Sequence, residues 1–260
     1  MVLPSDKRRS GILEEINNNR MVKVTELSER FAVSEVIIRR DLERLEKNGL
    51  LKRIHGGAVA LPHDVALPFG TPARSSSHEE EKERIGRAAA AMIQDGDRVI
   101  LDSGTTVLQV ARHISGYLLT WGKLTVITAS LPVVQAVGSW NGIHLILLGG
   151  LYLPQSKVVA VPLAQENLEG LHVDKLFLGA DGVTFSNGVT TSNVLEAELE
   201  RKMIEVANEV ILVADSSKIG VKGLISITPM NRIHKFVTDS GAKKDFVAQL
   251  QDQGVEVLLV

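Results

Sequence analysis

No cysteine occurs in the 260 residues, which excludes disulfides, thiolate metal sites and thiol catalysis and fits a reducing compartment. No uninterrupted apolar stretch is long enough to cross a bilayer, and residues 1–20 are polar and charged where a secretory signal would be apolar. The expectation is a cytoplasmic chain that does not engage a membrane. Seven histidines are scattered with no pair at metal-ligand spacing, so no metal and no other cofactor is expected. What is present is a hydrophobic content of 44%, enough at this length for one small domain and one of ordinary size. Charge is divided unevenly between them. Residues 1–60 hold twelve Lys and Arg against nine Asp and Glu, while the rest of the chain holds seventeen against twenty-two. That asymmetry suggests a small nucleic-acid module joined to a neutral-to-acidic domain.

The run Val33 to Leu42, V-S-E-V-I-I-R-R-D-L, begins with Ser34, a good N-cap, and comes after a short amphipathic segment, Val24 to Phe31, that ends in a turn at Ala32-Val33. This is the pattern of a helix-turn-helix. Ile38, Leu42 and Leu45 recur at helical spacing and face a core, which leaves Arg39, Arg40 and Arg44 on or beside the exposed side. Arginines so placed can read guanine edges or clamp phosphate in a major groove. A charged helix with Asp41 and Glu43 among its residues is more often a plain solvated face, and the segment C-terminal to it decides between the two. Asn48-Gly49 stops the helix, Leu50 to Ile54 is strand-like, and His55-Gly56-Gly57 turns into a second apolar run, Ala58 to Leu61. A winged helix-turn-helix results, with Lys52 and Arg53 where a wing meets a neighbouring phosphate.

Three prolines and a serine run between Leu61 and His78 cannot sustain a helix or a central strand. The expected organisation is a DNA-binding domain over 1–60, a linker over 61–78 and a second domain over 79–260. From Arg98 onward apolar or β-branched runs alternate with helical segments: Val99 to Leu101, Leu124 to Thr128, His144 to Leu148, Lys175 to Gly179, Val210 to Ala214, Lys235 to Thr238 and Val255 to Val260. Alternation of this kind predicts an α/β domain with a mostly parallel sheet covered on both faces. Ligands bind such sheets beyond the carboxyl ends of the strands.

The conspicuous motifs fall at those ends. Leu101 to Thr106, L-D-S-G-T-T, is a strand end, a glycine turn and a helix start. There Ser103, Thr105 and Thr106 offer hydroxyls beside the free helical N–H groups and Gly104 permits close approach, a ready anion site. Thr128-Ala129-Ser130, Gly149-Gly150, Gly179 to Gly182 and Ala214 to Lys218 come after other strands. Each alone is most simply a turn or a solvated connection. Together they bring hydroxyls, flexible backbone, carboxylates and an ammonium to one rim, the mixture a phosphorylated polyol requires.

With these motifs in view the chain resembles the DeoR family of bacterial sugar-metabolism regulators, through V-S-E-V-I-I-R-R-D-L and L-E-K-N-G-L-L-K-R-I-H-G-G-A near the start and L-D-S-G-T-T, L-G-A-D-G-V, G-V-T-T-S-N and A-D-S-S-K later. The resemblance covers nearly the whole chain. It implies a winged helix-turn-helix that contacts operator DNA through Ser34, Arg39, Arg40, Arg44, Lys52, Arg53 and His55. It also implies a C-terminal α/β domain like that of ribose-5-phosphate isomerase and glucosamine-6-phosphate deaminase, with phosphate held by Ser103, Gly104, Thr105, Thr106 and Lys218. Asp102, Asp181 and Glu196 then face the sugar, and Thr128, Ser130, Gly149 and Gly150 complete the pocket. Departures stand at Ile37, where the family usually carries threonine, at Ala129 within its T-N-S, and at Val161, where it has glycine.

The expected function is a repressor of a carbohydrate operon, controlled by a phosphorylated sugar and binding double-stranded DNA as a homo-oligomer, a dimer or tetramer, by the usual symmetry of such operators. The competing expectation is a sugar-phosphate isomerase or deaminase with an appended module, in which Asp181 and Glu196 serve as acid and base. Against it, such enzymes carry D-G-A-D where this chain reads Leu178-Gly179-Ala180-Asp181.

Overall fold

The computed structural model describes residues 8–9, 11–12, 15–16, 21–47, 51–54, 56–59, 77–160 and 163–260. His55, Val161 and most of the expected linker lie outside them. The chain divides into two compact units, Met1–Leu67 and Pro68–Val260.

In the first unit β1 (Met21–Lys23) leads into α1 (Val24–Phe31), and α2 (Glu35–Lys47) starts after a turn in which Ala32 takes a left-handed φ of 51°. The Ser28 hydroxyl donates to the Val33 carbonyl at 2.7 Å and the Val33 N–H returns to the Ser28 carbonyl at 3.2 Å, so the turn is held from both sides. β2 (Lys52–Ile54) and β3 (Gly57–Val59) form an antiparallel hairpin, and β1 adds to the other side of β3. Gly57 is dictated by that pairing, since a Cβ there would lie 2.1 Å from the Val22 carbonyl oxygen. Ile12, Ile16, Leu27, Ile38, Leu42, Leu45 and Leu51 fill the core. One residue of the helix departs from the solvated face the sequence suggests: Asp41 is buried, 2.6 Å from Arg8 Nε and 3.5 Å from an Arg9 nitrogen. A carboxylate enters a core only with such partners.

In the second unit α3 (Glu79–Ala90) precedes β4 (Arg98–Leu101), α4 (Thr105–Arg112), α5 (Gly116–Trp121), β5 (Leu124–Thr128), α6 (Leu131–Val137) and β6 (Ile143–Leu147). A hairpin of β7 (Leu151–Leu153) and β8 (Val158–Ala160) and a short α7 (Leu163–Glu166) lead to β9 (Val173–Leu178). Then come β10 (Gly182–Thr184), β11 (Gly188–Thr191), α8 (Val194–Val206), β12 (Ala207–Val213), β13 (Ile225–Thr228), β14 (Lys235–Thr238), α9 (Lys244–Asp252) and β15 (Glu256–Leu259).

Seven strands form one parallel sheet in the order β15-β14-β12-β9-β4-β5-β6. Successive side chains alternate between its faces. Ile100, Leu176 and Leu178 enter one core with Ala197, Leu199 and Met203 of α8, whereas Val99, Leu101 and Phe177 enter the other with Ile85 of α3 and Val107 and Val110 of α4. This is why the strands read as continuous apolar runs. Helix α5, the β7–β8 hairpin and the separate antiparallel sheet β10-β11-β13 are not marked in the sequence. Their segments of three to six residues are too short to show a period, and tertiary packing holds them. At the amino ends of the strands, Arg98 grips Asp174 through 2.8 and 3.0 Å contacts and Lys175 meets Asp97 at 2.6 Å. The opposite ends carry the candidate site.

Candidate functional site

Helix α2 presents Arg39, Arg40 and Arg44 to solvent, together with Val36 and Ile37. Ser34 lies immediately before the helix, where its carbonyl accepts from the Ile37 and Ile38 N–H groups at 3.0 and 3.2 Å. Arg39 is held by Glu35 one turn earlier, at 2.8 Å. Among the described residues Arg40 and Arg44 make no ion pair, so their guanidinium groups are the readier to reach an outside anion. In the wing, Lys52 and Arg53 are exposed. The Arg53 N–H donates to Glu46 Oε1 at 2.8 Å, which ties the wing to the end of α2, and Lys52, its neighbour along the strand, points to the other face.

The sheet order shows where a ligand belongs in the second unit. From β4 the chain builds outward through β5 and β6, and from β9 outward the other way through β12, β14 and β15. The carboxyl ends of β4 and β9 therefore flank the point where the order reverses, the crevice in which open α/β sheets bind ligands. Asp102 directly succeeds β4 and Gly179 directly succeeds β9, and Asp102 Oδ2 accepts the Gly179 N–H at 3.0 Å across it. Next, Gly104 takes a φ of 97°, a conformation that side chains rarely adopt, and starts α4 with its amide groups toward the crevice mouth. Thr106 is buried and Ser103 and Thr105 are half-buried.

Asp181 and Glu196 are also brought here, each pinned by its neighbours. Asp181 Oδ2 accepts from the Ser192 N–H at 2.8 Å. Asn193 caps α8, accepting from the Leu195 and Glu196 N–H groups, while its amide donates to Glu196 Oε1 at 2.7 Å. The result is a wall of carboxylates. Burial above all, with Glu196 and Asp181 adding to it, raises the pKa of Asp102 from 3.8 to about 7 against the opposing bonds from the Gly179 and Ser103 amides.

Lys218 ends a single 3₁₀ turn, Ser216–Lys218, that Asp215 caps. The turn is anchored to the end of β14, because Ser216 donates to Asp239 from its N–H at 2.6 Å and from its hydroxyl at 2.8 Å. Lys218 is not on a strand next to the Ser103–Thr106 turn, since β9 stands between β12 and β4. A basic residue that sequence patterning missed lies near Lys218 instead. Lys82 of α3 is buried, and its ammonium group lies in the field of both Asp215 and Lys218. Its pKa is lowered by burial first and by Lys218, with Asp215 opposing. Its Nζ donates to the Ser77 carbonyl at 2.5 Å, and α3 packs against α4 where Gly86 meets Gln109. Glu200 was missed as well: it is buried one turn beyond Glu196, and burial together with the charges of Asp102, Glu196 and Asp181 pushes its pKa well up.

The other expected pocket residues have structural work. Thr128 is fully buried and its hydroxyl accepts from the Ser130 N–H at 3.0 Å. Ser130, also buried, pairs with Val158 of the β7–β8 hairpin. Ala129 joins the same packing, its carbonyl accepting from Val159 at 2.8 Å. The Gly149 N–H donates to Asn167, and Gly150 meets β8 so closely that a Cβ would fall 2.1 Å from the Ala160 carbonyl oxygen. The hairpin thus covers the ends of β5 and β6. The open rim lies over β4, β9 and β12.

A winged helix-turn-helix joined to an α/β domain with an anion-and-hydroxyl rim defines a ligand-responsive DNA-binding regulator. The DeoR-like helix-turn-helix domain matches residues 8–63 and the DeoR C terminal sensor domain matches residues 77–240, so the chain belongs to the DeoR family of transcriptional regulators. It is 38% identical over 255 residues to the uncharacterized HTH-type transcriptional regulator YulB of Bacillus subtilis (strain 168), covering 98% of this chain and 96% of that one. It is 36% identical over 262 residues to a putative aga operon transcriptional repressor of Escherichia coli O157:H7, covering 100% and 95%. Among solved structures it is similar to ribose 5-phosphate isomerase A of Methanocaldococcus jannaschii, with 21% identity, 57% of each chain covered and a TM-score of 0.42.

Proposed function

We propose that this protein is a repressor of a carbohydrate-metabolism operon whose grip on DNA is set by a phosphorylated sugar. Helix α2 enters the major groove of the operator and the wing rests on a neighbouring phosphate. Residues 1–60 act as the DNA-binding domain, 61–78 as linker and 79–260 as sensor, in a cytoplasmic homo-oligomer. The observation that carries the reading is the gathering, at the reversal point of one sheet, of two opposite chemistries. The Ser103–Thr106 turn suits a phosphate, and Asp102, Asp181 and Glu196 suit sugar hydroxyls, while Lys218 stands one strand further along the rim, after β12. The relative named as an aga operon repressor supports the same reading.

Catalysis is not part of it. Leu178, at the position where the isomerases carry a carboxylate, is fully buried in the core. The test is a thermal-shift screen of pentose and hexose phosphates, then titration of operator-bound protein with the tightest binder. A ligand at a hundred times its Kd stabilises the fold by about 2.7 kcal/mol and should shift operator affinity. Turnover of those compounds, or a bound ligand without effect on the operator complex, would overturn the proposal.

A further inference from the structure

Glu200 is 4% exposed, and among the described residues its Oε2 has no hydrogen-bond partner. A carboxylate oxygen withdrawn from water and left unbonded is costly, and cores are not built that way without cause. The charged groups acting on it give no compensation. Asp102 at the end of β4, Asp181 beyond β9 and Glu196 on its own helix all repel a second negative charge. Arg201 opposes them more weakly, and its guanidinium is turned to the Ser226 carbonyl. Asp102 and Asp181 are already satisfied by backbone N–H groups, and Glu196 by Asn193. Glu200 alone among the four keeps a buried, unpartnered oxygen.

Resting on the sugar-phosphate reading, we propose that Glu200 is a specificity residue of the effector site, where its carboxylic acid form donates a hydrogen bond to a hydroxyl or carbonyl oxygen of the sugar. Burial first, and crowding by three carboxylates, raise its pKa well above the ordinary carboxylate value and so favour the acid form. A neutral acid offers one donor and an acceptor, which matches a hydroxyl or carbonyl oxygen. The wall of carboxylates around it turns a phosphate away, toward the Ser103–Thr106 turn. Glu200 therefore reads the polyol end of the molecule, and the protons that the site holds become part of the binding equilibrium.

The test uses the full chain and titration calorimetry with ribose 5-phosphate, glucose 6-phosphate, glucosamine 6-phosphate, sorbitol 6-phosphate and inorganic phosphate. Wild type should bind at least one sugar phosphate more than tenfold tighter than inorganic phosphate. Glu200→Leu should cut that preference by tenfold or more and leave inorganic phosphate within about twofold. Glu200→Gln, whose amide still donates, should keep the sugar phosphate within about fivefold. It should also lose part of the wild-type weakening as pH rises, phosphate ionisation being common to both proteins. An unchanged sugar-to-phosphate ratio in Glu200→Leu overturns the assignment. Should that variant fail to fold, a Glu200→Gln pH profile that parallels wild type overturns it equally. Failure of wild type to bind any of the sugar phosphates would instead strike the effector reading on which the proposal stands.

Discussion

The Asp102 carboxylate and the Gly179 N–H meet at 3.0 Å between the two strands where the sheet order turns back. That contact closes the floor of the crevice, and it sets a buried acid where ligand oxygens are expected. Its pKa of about 7 has a consequence for stability.

Between about pH 4 and pH 7 the folded protein holds a proton on Asp102 that the unfolded chain has released. The stabilising contribution is complete below the ordinary value of 3.8 and is lost as pH rises through about 7, above which a buried charge burdens the fold. Asp102→Asn should therefore be more stable than wild type at pH 8, by on the order of a few kcal/mol, since one pKa unit is about 1.4 kcal/mol. The advantage should shrink steadily below pH 7 and vanish only below about pH 4. Melting curves across this range check it, and a pH-independent difference would count against the assignment.

Arg40→Ala should weaken specific operator binding by about 1–3 kcal/mol if the guanidinium reads a guanine. Arg39→Ala should do the same, less the strength of its 2.8 Å bond to Glu35, which DNA must displace. Lys52→Ala should lower affinity for every sequence and flatten the salt dependence. Binding isotherms at several salt concentrations separate the two behaviours, and unchanged affinity in both arginine variants would remove α2 from the groove.

Ile37 is 38% exposed beside these arginines, at the position where the family usually has threonine. An apolar side chain there suits a thymine methyl. Ile37→Thr should change the base preferred at one position of a selected site, with little loss of affinity for unrelated DNA. Identical selected sequences would show that the side chain touches no base.

Asp41→Ala should unfold the first unit or destabilise it by about 3–5 kcal/mol, because the buried Arg8 would lose the Asp41 carboxylate. The second unit should keep its own transition. Hydrogen exchange resolved along the chain would show protection lost before residue 60 and retained after residue 79.

Much of this architecture is legible in the sequence, and the reasons it is not all legible are specific. Val210 to Ala214 announces a central strand because both its faces are buried, so no polar residue interrupts it. The three-residue strands β7, β8 and β10 have no such signal, and the hairpin they hide explains why Thr128 and Ser130 are packed away from the rim. Glu200 looks like one more surface charge in E-A-E-L-E-R-K. The available clue was its place on the stripe Ala197, Glu200, Ile204, where the neighbours are apolar and buried. Lys82, with Ile85 and Ala89, obeys the same rule. An acid or base on the buried stripe of an amphipathic helix is where the fold holds chemistry that local composition conceals.

Gly104 has open space where a Cβ would sit, yet its φ of 97° admits almost no other residue. Mutation can hardly alter that turn without straining it, whereas the acids opposite it are ordinary side chains on a helix and at loop ends. A lineage descending from this protein would thus have few routes to abandon the proposed anion anchor and many to retune what lies across from it. On the proposed function, new sugars should be acquired by changes at the carboxylate wall, with that turn inherited intact.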